Sequence, residues 1–271
     1  MRGNTRRYPG LLTGLVLLLL AAALAACLSP GEKTLALGDS LAYKGDYSRA
    51  IAAYEAALEK LPGEAYYRRV HARKRAGEIA YLFLAEYRRA LRHFRALAEL
   101  DDGENGFAAR GAIAEIVRYK FGDLRQAIVE YQQLLQAYPE HPEASRYLLE
   151  IARCYAQLGD TRQARVEARL LQQRYPESPH APEVALLVAD GLALEGDLEQ
   201  AITEYEKFLE NYRDHSLVPA AAFELATCYE ESGRPELAHR RLTQIASQLK
   251  DPQAVQLKIE RLRARMRQSG H

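Results

Sequence analysis

The sequence contains no tryptophan, only three cysteines and only three asparagines in 271 residues. Charge of neither sign dominates, because 37 Lys and Arg stand against 36 Asp and Glu. This balance gives no support to nucleic-acid binding, which is typical of strongly basic domains. Three cysteines in a chain of this length do not build a disulfide-rich scaffold. What remains, 48% apolar and 27% charged residues, is ordinary for a chain that folds around a core.

Familiar catalytic motifs are also missing. The sequence has no Gly-x-Gly-x-x-Gly, no phosphate-binding loop, no His-Glu-x-x-His and no Gly-x-Ser-x-Gly. His141, His180 and His215 hold similar places between helical segments, with no second ligand at helical spacing. We therefore expect no catalytic residues, no cofactor and no metal site. The sequence favours a binding surface over an enzyme.

The first residues have the pattern of an export signal. Arg2, Arg6 and Arg7 form a basic start, and the apolar stretch 11–23 leads to Leu24-Ala25-Ala26-Cys27. So short an apolar run with a small-residue exit favours a cleaved signal over a spanning helix. The last four residues resemble the bacterial lipobox, which implies cleavage before Cys27 and lipidation of that cysteine. A plain signal peptide and an uncleaved anchor are the alternatives.

Lipidation would set the location of the protein. Residues 1–26 would be the cleaved lipoprotein signal peptide, and residues 27–31 a lipidated tether, since two lipid signals suffice for stable anchoring. In enteric lipoproteins, Asp after the lipidated cysteine means retention at the inner membrane, and Leu28 stands there instead. The resemblance implies a protein on the outer membrane, lipid-anchored and facing the periplasm, a compartment that excludes nucleic acid.

The rest of the chain is repetitive. A Gly-Asp step, or a substitute for it, recurs at residues 45, 85, 122, 159, 196 and 233, with spacings of 40, 37, 37, 37 and 37. Five residues after each step comes alanine: Ala50, Ala90, Ala127, Ala164, Ala201 and Ala238. Nine residues after it come Tyr54, Phe94, Tyr131, Ala168, Tyr205 and Leu242. The step suits a helix end followed by a helix cap, and the alanine lets two helices approach closely.

Six helix–turn–helix units at this period resemble tetratricopeptide repeats, and the first unit matches the family's pattern almost throughout. The resemblance implies an all-α fold, a right-handed superhelix (α-solenoid) of about six units. It covers residues 32–250, with residues 251–271 as a capping helix and tail. The turn formers at 101–106 make this the predicted hinge, where the alternatives are two sub-arrays or one array with a surface loop. We also expect Cys154 and Cys228 to be buried, free thiols.

In tetratricopeptide proteins the first helices of the units line a groove that takes a peptide. The resemblance carries that role to Arg146, Leu149, Arg153, Leu186, Asp190, Leu194, Phe223, Thr227 and Glu230. This mixture of apolar and charged side chains suits an extended or helical segment with a few anchors. The family's carboxylate-clamp subtype needs asparagine in these helices, and asparagine occurs only at positions 4, 105 and 211. That subtype is excluded.

A second candidate surface lies earlier in the chain. Residues 66–95 hold nine basic residues and two acidic ones, and Arg88, Arg92 and Arg95 share one helical face. This possible basic patch could bind anionic lipid headgroups or an acidic partner. The alternative is a solvated face that nearby acidic residues balance.

The connectors 138–142 and 175–179 resemble those of the outer-membrane β-barrel assembly lipoprotein and of the Tol-Pal system coordinator. That resemblance implies a scaffold that binds an envelope protein through its groove. A lipoprotein similar to the type IV pilus pilotins is one alternative. An accessory subunit or regulator of a peptidoglycan or polysaccharide enzyme is another.

Overall fold

A computed structural model describes residues 28–248 and 252–269 of the chain. Within these residues all regular structure is helical, which confirms the expected all-α class. The elements are α1 (Pro30–Tyr43), α2 (Tyr47–Lys60), α3 (Tyr66–Leu82), α4 (Tyr87–Leu100), α5 (Glu104–Tyr119), α6 (Leu124–Ala137), α7 (Ala144–Gln157), α8 (Thr161–Arg174), α9 (Ala181–Leu194), α10 (Leu198–Asn211), α11 (Val218–Glu231), α12 (Pro235–Ile245), a 3-10 turn (Ala246–Gln248) and α13 (Pro252–Ser269).

The helices α1 to α12 form six successive helix–turn–helix pairs, as the repeat period predicts. Each turn falls at a predicted Gly-Asp step or its substitute. The helix α13 follows the sixth pair and contacts α12, in the place expected for a capping helix. The predicted fold of six repeats plus a terminal helix is confirmed.

The chain divides into two compact halves between Ile116 and Val117, inside α5. The N-terminal half contains α1 to α4 and most of α5, and the C-terminal half contains the remainder. The predicted hinge at 101–106 lies at the junction of α4 and α5. Here the Asp101 carboxylate accepts hydrogen bonds from the Gly103 N–H at 2.5 Å and the Asn105 amide at 3.0 Å. The hinge itself stays a prediction.

The turns of the pairs show why glycine recurs. Gly45, Gly122, Gly159, Gly196 and Gly233 all have φ between 69° and 81°, a left-handed conformation that side chains disfavour. After four of these turns the next residue caps the following helix through its carboxylate. These caps are Asp46, Asp123, Asp160 and Asp197, which accept from backbone N–H groups at 3.0–3.4 Å. The turn at Ala85 is the exception, because a residue with a side chain takes φ 54° there.

The predicted seam residues form the core of the pairs. All six repeated alanines are at most 3% exposed, and five of the six residues nine positions after the turn are between 0 and 1% exposed. Phe94, at 5%, completes the series. Ala168 is fully buried, so neighbouring side chains fill the space that a larger residue would take. Cys154 and Cys228 are free and buried, as predicted.

The export signal and Cys27 lie outside the described residues, so these predictions stay predictions. Among the helices that the structure describes, none combines the length and the apolar character needed to cross a membrane.

Candidate functional site

The predicted groove residues lie on α7, α9 and α11, the first helices of the fourth, fifth and sixth pairs. All three helices belong to the C-terminal half of the chain. The three helices differ in what their groove side chains contact. The arginines of α7 form ion pairs, the groove side chains of α11 are covered by α13, and those of α9 remain open.

On α7 the groove surface is occupied by ion pairs. Arg153 pairs with Glu150 at 2.7 Å and with Glu183 of α9, and Glu150 also pairs with the buried Arg118. Leu149 is 2% exposed and belongs to the core, so it offers no surface to a ligand. Its neighbour Arg146 is exposed at the helix start, 3.4 Å from Glu143.

On α11 the groove surface is covered by the chain itself. Lys258 of α13 donates a hydrogen bond to the Thr227 hydroxyl at 2.8 Å, and its ammonium lies 4.9 Å from the centre of the Phe223 ring. Glu230 pairs with Lys258 at 3.5 Å and with Arg265 at 3.1 Å. This face of α11 therefore already binds two basic side chains of the capping helix.

On α9 the groove surface is open. Leu186 is partly buried, whereas Leu194, at the end of the helix, is 76% exposed. Between α9, α10 and α11 lies a pocket of about 370 Å³, within the usual range of ligand pockets. Its lining is Asp190, Ala193, Leu194, Tyr205, Glu224, Thr227, Cys228 and Glu231. Three of the nine predicted groove residues, Asp190, Leu194 and Thr227, thus meet in one pocket.

The carboxylate of Asp190 is held by one hydrogen bond. The hydroxyl of Tyr205, on α10, donates to Asp190 Oδ1 at 2.6 Å. Burial raises the pKa of Asp190 to about 6, and the nearby carboxylate of Glu224 adds to the rise, while the Tyr205 hydrogen bond opposes it. Burial, and then the carboxylate of Asp190, raise the pKa of the Tyr205 hydroxyl in turn. The pair is a partly buried acceptor site without a positive charge in direct contact.

The remaining lining adds negative charge and an apolar wall. Glu224 and Glu231 pair with no cation among the residues that the structure describes. No Lys, Arg or His lines the pocket, although Lys258 donates to the lining residue Thr227. Burial first, and then Glu231, Glu224 and Asp190, raise the pKa of the Cys228 thiol to about 11. A thiol with this pKa is protonated at neutral pH and is a poor nucleophile.

Residue-by-residue transfer from the family pattern missed Tyr205, Glu224, Glu231 and Cys228. A signal for Tyr205 was present, because it stands nine residues after the turn glycine, where the seam residue of each pair lies. Only the packing of α9 against α10 and α11 brings the other three to Asp190.

The possible basic patch lies in the N-terminal half. Arg88, Arg92 and Arg95 are exposed on α4, and Arg88 and Arg92 form no ion pair within the described part of the chain. Several neighbouring cations have partners: Arg89 pairs with Glu55 at 2.6 Å, and Arg75 with Glu78 at 2.8 Å. The patch is therefore smaller than the nine basic residues of the sequence suggest.

No group of three or more His, Cys, Asp or Glu side chains able to hold a metal ion is found among the described residues. The pocket on α9 has carboxylates and a hydroxyl, but its thiol is protonated. Its chemistry is that of binding a cationic or hydrogen-bond-donating group.

Comparison with known proteins agrees with this geometry. The tetratricopeptide repeat-like domain family matches residues 106–260, and a tetratricopeptide repeat matches residues 35–82. No curated protein matches the sequence.

Similar solved structures have low sequence identity. The C-terminal part of a TPR repeat-containing protein from Cytophaga hutchinsonii is 15% identical, with a TM-score of 0.66 and coverage of 89% of this chain and 92% of that one. YrrB, a TPR protein with an unusual peptide-binding site, is 17% identical at TM-score 0.55, covering 77% and 98%. PilW, a type IV pilus biogenesis factor, is 17% identical at TM-score 0.50, covering 83% and 97%. These similarities concern the fold.

Proposed function

The chain belongs to the tetratricopeptide repeat-like domain family, and from this premise we propose that it is a non-enzymatic scaffold of the bacterial cell envelope. Lipid on Cys27 would hold it on the periplasmic face of the outer membrane. Its C-terminal half would bind a segment of another envelope protein during assembly of the envelope or of outer-membrane proteins.

Two observations support a protein partner. Tetratricopeptide repeat proteins are generally non-enzymatic scaffolds for protein–protein interaction, and repeat arrays present extended binding surfaces. The observation that carries the proposal is the open pocket on α9, which lies among predicted groove residues and next to the exposed Leu194. Side-chain pockets beside apolar helix faces are how such grooves anchor peptide segments.

Site-specific photocrosslinking in the native host tests the binding surface. A photoreactive amino acid replaces Leu194 at the pocket, and a matched control replaces Val166, which is 52% exposed on α8. We expect a crosslink to an envelope protein from position 194 and none from position 166. Equal crosslinking from both positions would contradict the groove, and capture of a pilus component would move the assignment to pilus biogenesis.

A Cys27→Ser variant tests the anchor. We expect the wild-type chain to incorporate labelled fatty acid and to fractionate with the outer membrane, because acyl chains at Cys27 partition into lipid. The variant should lose the label and leave the membrane fraction. A variant that stays labelled or membrane-bound would overturn the lipoprotein assignment while leaving the binding surface untouched.

A further inference from the structure

The pocket on α9 has an internal counterpart in the first helix pair. Asp39 of α1 lies six residues before the turn glycine Gly45, as Asp190 lies six before Gly196. The hydroxyl of Tyr54 donates to Asp39 Oδ1 at 2.6 Å, the same bond and distance as between Tyr205 and Asp190. Each half of the chain therefore contains this Tyr–Asp arrangement at an equivalent position of the repeat.

In the first pair, basic side chains of the next helix complete this arrangement. The Nε2 atom of His71, on α3, lies 2.8 Å from Asp39 Oδ1. Arg75, one turn later on α3, interacts with the Tyr54 hydroxyl by a hydrogen bond and opposes the rise of its pKa. The Tyr–Asp pair thus has two basic groups supplied by the chain, His71 at the carboxylate and Arg75 at the hydroxyl.

In the fifth pair, the equivalent positions are not basic. The small residue of α3 that packs against Phe94 is Gly77, and the fully buried Ala226 holds that place in α11. Gly77 lies eight residues before its turn residue Ala85, and Ala226 lies seven before Gly233, so α3 has one additional residue before its turn. Counting back two residues from each aligns Arg75 with Glu224, and counting back six aligns His71 with Ala220. The helix α3 therefore supplies two basic groups to the first Tyr–Asp pair. At the second pair α11 supplies the carboxylate of Glu224, and Ala220 is exposed and does not line the pocket.

The consequence is a cation-binding arrangement that lacks its cation. Asp190, Glu224 and Glu231 line one pocket, and among the described residues no cation pairs with either glutamate. Asp190 is partly buried, and a carboxylate in such a place without a counter-charge is costly. A positively charged ligand group would lower that cost. The neighbouring face of α11 already binds a basic side chain, since Lys258 lies there against Thr227 and Phe223.

We infer that this pocket binds a basic side chain, arginine or lysine, that projects from the partner's segment. The aliphatic stem would lie against Leu194 and Ala193, and the charged end would reach Asp190, Glu224 and Glu231. The inference rests on the proposed function, because it takes the cation to belong to a protein partner. It adds the chemical class of the anchor residue.

Peptide binding to the full chain, purified in detergent, tests the inference. The probes are the dye-labelled peptide acetyl-Leu-Arg-Leu-amide and its twin with citrulline, which keeps the shape of arginine and removes the charge. Fluorescence anisotropy measures the dissociation constants. We expect the arginine peptide to bind at least about tenfold more tightly than the citrulline twin.

Three variants assign the binding to the pocket. Glu224→Gln with Glu231→Gln should weaken the arginine peptide by at least about tenfold, and Glu224→Arg, which copies Arg75, should abolish the preference for arginine. The matched control is Glu210→Gln, which removes one negative charge from an exposed position of α10. It should leave the dissociation constant within about twofold of the wild-type value. All three side chains are exposed, and unchanged thermal unfolding confirms that each variant folds.

Equal binding of the arginine and citrulline peptides, or arginine binding that survives Glu224→Arg, would overturn the inference. Putrescine competing as well as the peptide would also overturn it, because the apolar wall would then contribute nothing. A crosslink at Leu194 without arginine preference would leave the proposed function standing and remove the anchor. A preference for arginine without any crosslinked partner would support the binding of a basic side chain in the pocket and contradict the proposed function.

Discussion

The first and the fifth helix pairs share one design and differ in charge. Each holds a carboxylate on its first helix against a tyrosine on its second, with 2.6 Å between the oxygens. The first pair receives His71 and Arg75 from the following helix, and the fifth receives Glu224 and no basic side chain. The same backbone therefore forms a satisfied structural contact in one half and an open acidic pocket in the other. Repeats conserve the packing positions, while the positions between them are free to acquire a binding function.

The largest expected effect comes from the close packing of the first pair. A Cβ atom on Gly38 would lie 2.9 Å from ring atoms of Tyr54, whereas the fifth pair has Ala189 at the equivalent position. Gly38→Ala should lower the free energy of unfolding by about 3 kcal/mol, because the buried ring cannot shift without displacing its neighbours.

Urea denaturation measures this loss. Gly63→Ala is the control, since a Cβ there meets no atom within 4 Å. A Gly38→Ala variant as stable as the control would show that the first pair tolerates the alanine that the fifth pair has at this position.

The second effect is that Asp190 and Asp39 contribute differently to the pH dependence of the free energy of unfolding. Burial raises the pKa of Asp190 from 3.8 to about 6, so the folded chain holds this proton more tightly than the unfolded chain does. The contribution of Asp190 to the free energy of unfolding therefore falls as pH rises from about 4 to about 6 and stays lower above that. Asp190→Asn removes this loss and should stabilise the protein by about 1–2 kcal/mol at pH 8, with little change near pH 3.5.

Thermal unfolding at the two pH values checks this prediction. The matched variant Asp39→Asn should not stabilise at pH 8, because it removes the charged partner of His71. Equal stabilisation by both variants would mean that the two Tyr–Asp pairs have the same electrostatics. The stabilised Asp190→Asn variant should bind the arginine peptide more weakly, as expected when a binding site is kept at the expense of stability.

A third, smaller effect concerns the turns. Ala85 takes the left-handed conformation that glycine takes in the other five turns. Ala85→Gly should raise the free energy of unfolding by about 1 kcal/mol, because it relieves the clash of Cβ with the backbone. Gly159→Ala is the reciprocal variant and should lower stability by a similar amount. Chemical denaturation measures the change in the free energy of unfolding of both variants. Changes of opposite sign would support the explanation, and a loss of stability in both variants would contradict it.

The smallest effect concerns helix capping. Glu86, in the place of the capping aspartates, makes no cap hydrogen bond and pairs instead with Arg89 at 2.9 Å. Glu86→Asp should add about 0.5 kcal/mol if the shorter carboxylate reaches the backbone N–H of Arg89, as Asp46 reaches that of Arg49. Asp160→Ala, measured by the same denaturation assay, should cost about 1 kcal/mol. A Glu86→Asp variant no more stable than the wild type would show that the Arg89 pair already compensates for the missing cap.

The periodic features of the chain could be predicted because they depend on neighbours close in sequence. Turn glycines, capping aspartates and the seam alanines lie within one helix–turn–helix unit, where backbone conformation and helical spacing determine their roles. The transfer of groove positions was less complete. Leu149 occurs in the core, and Phe223 and Glu230 are covered by basic residues of α13, since the fate of a helix face depends on which helix packs against it.

The sequence by itself determined the repeat, its period, the six helix pairs and the buried seam, because each follows from local spacing and residue size. Only the tertiary structure decided that Asp190 meets Tyr205, Glu224 and Glu231 in one open pocket while Asp39 meets His71. These residues come from three helices separated by connecting turns. The electrostatic environment of a carboxylate depends on the charged side chains of every helix packed beside it. The sequence pattern of one helix does not determine that environment.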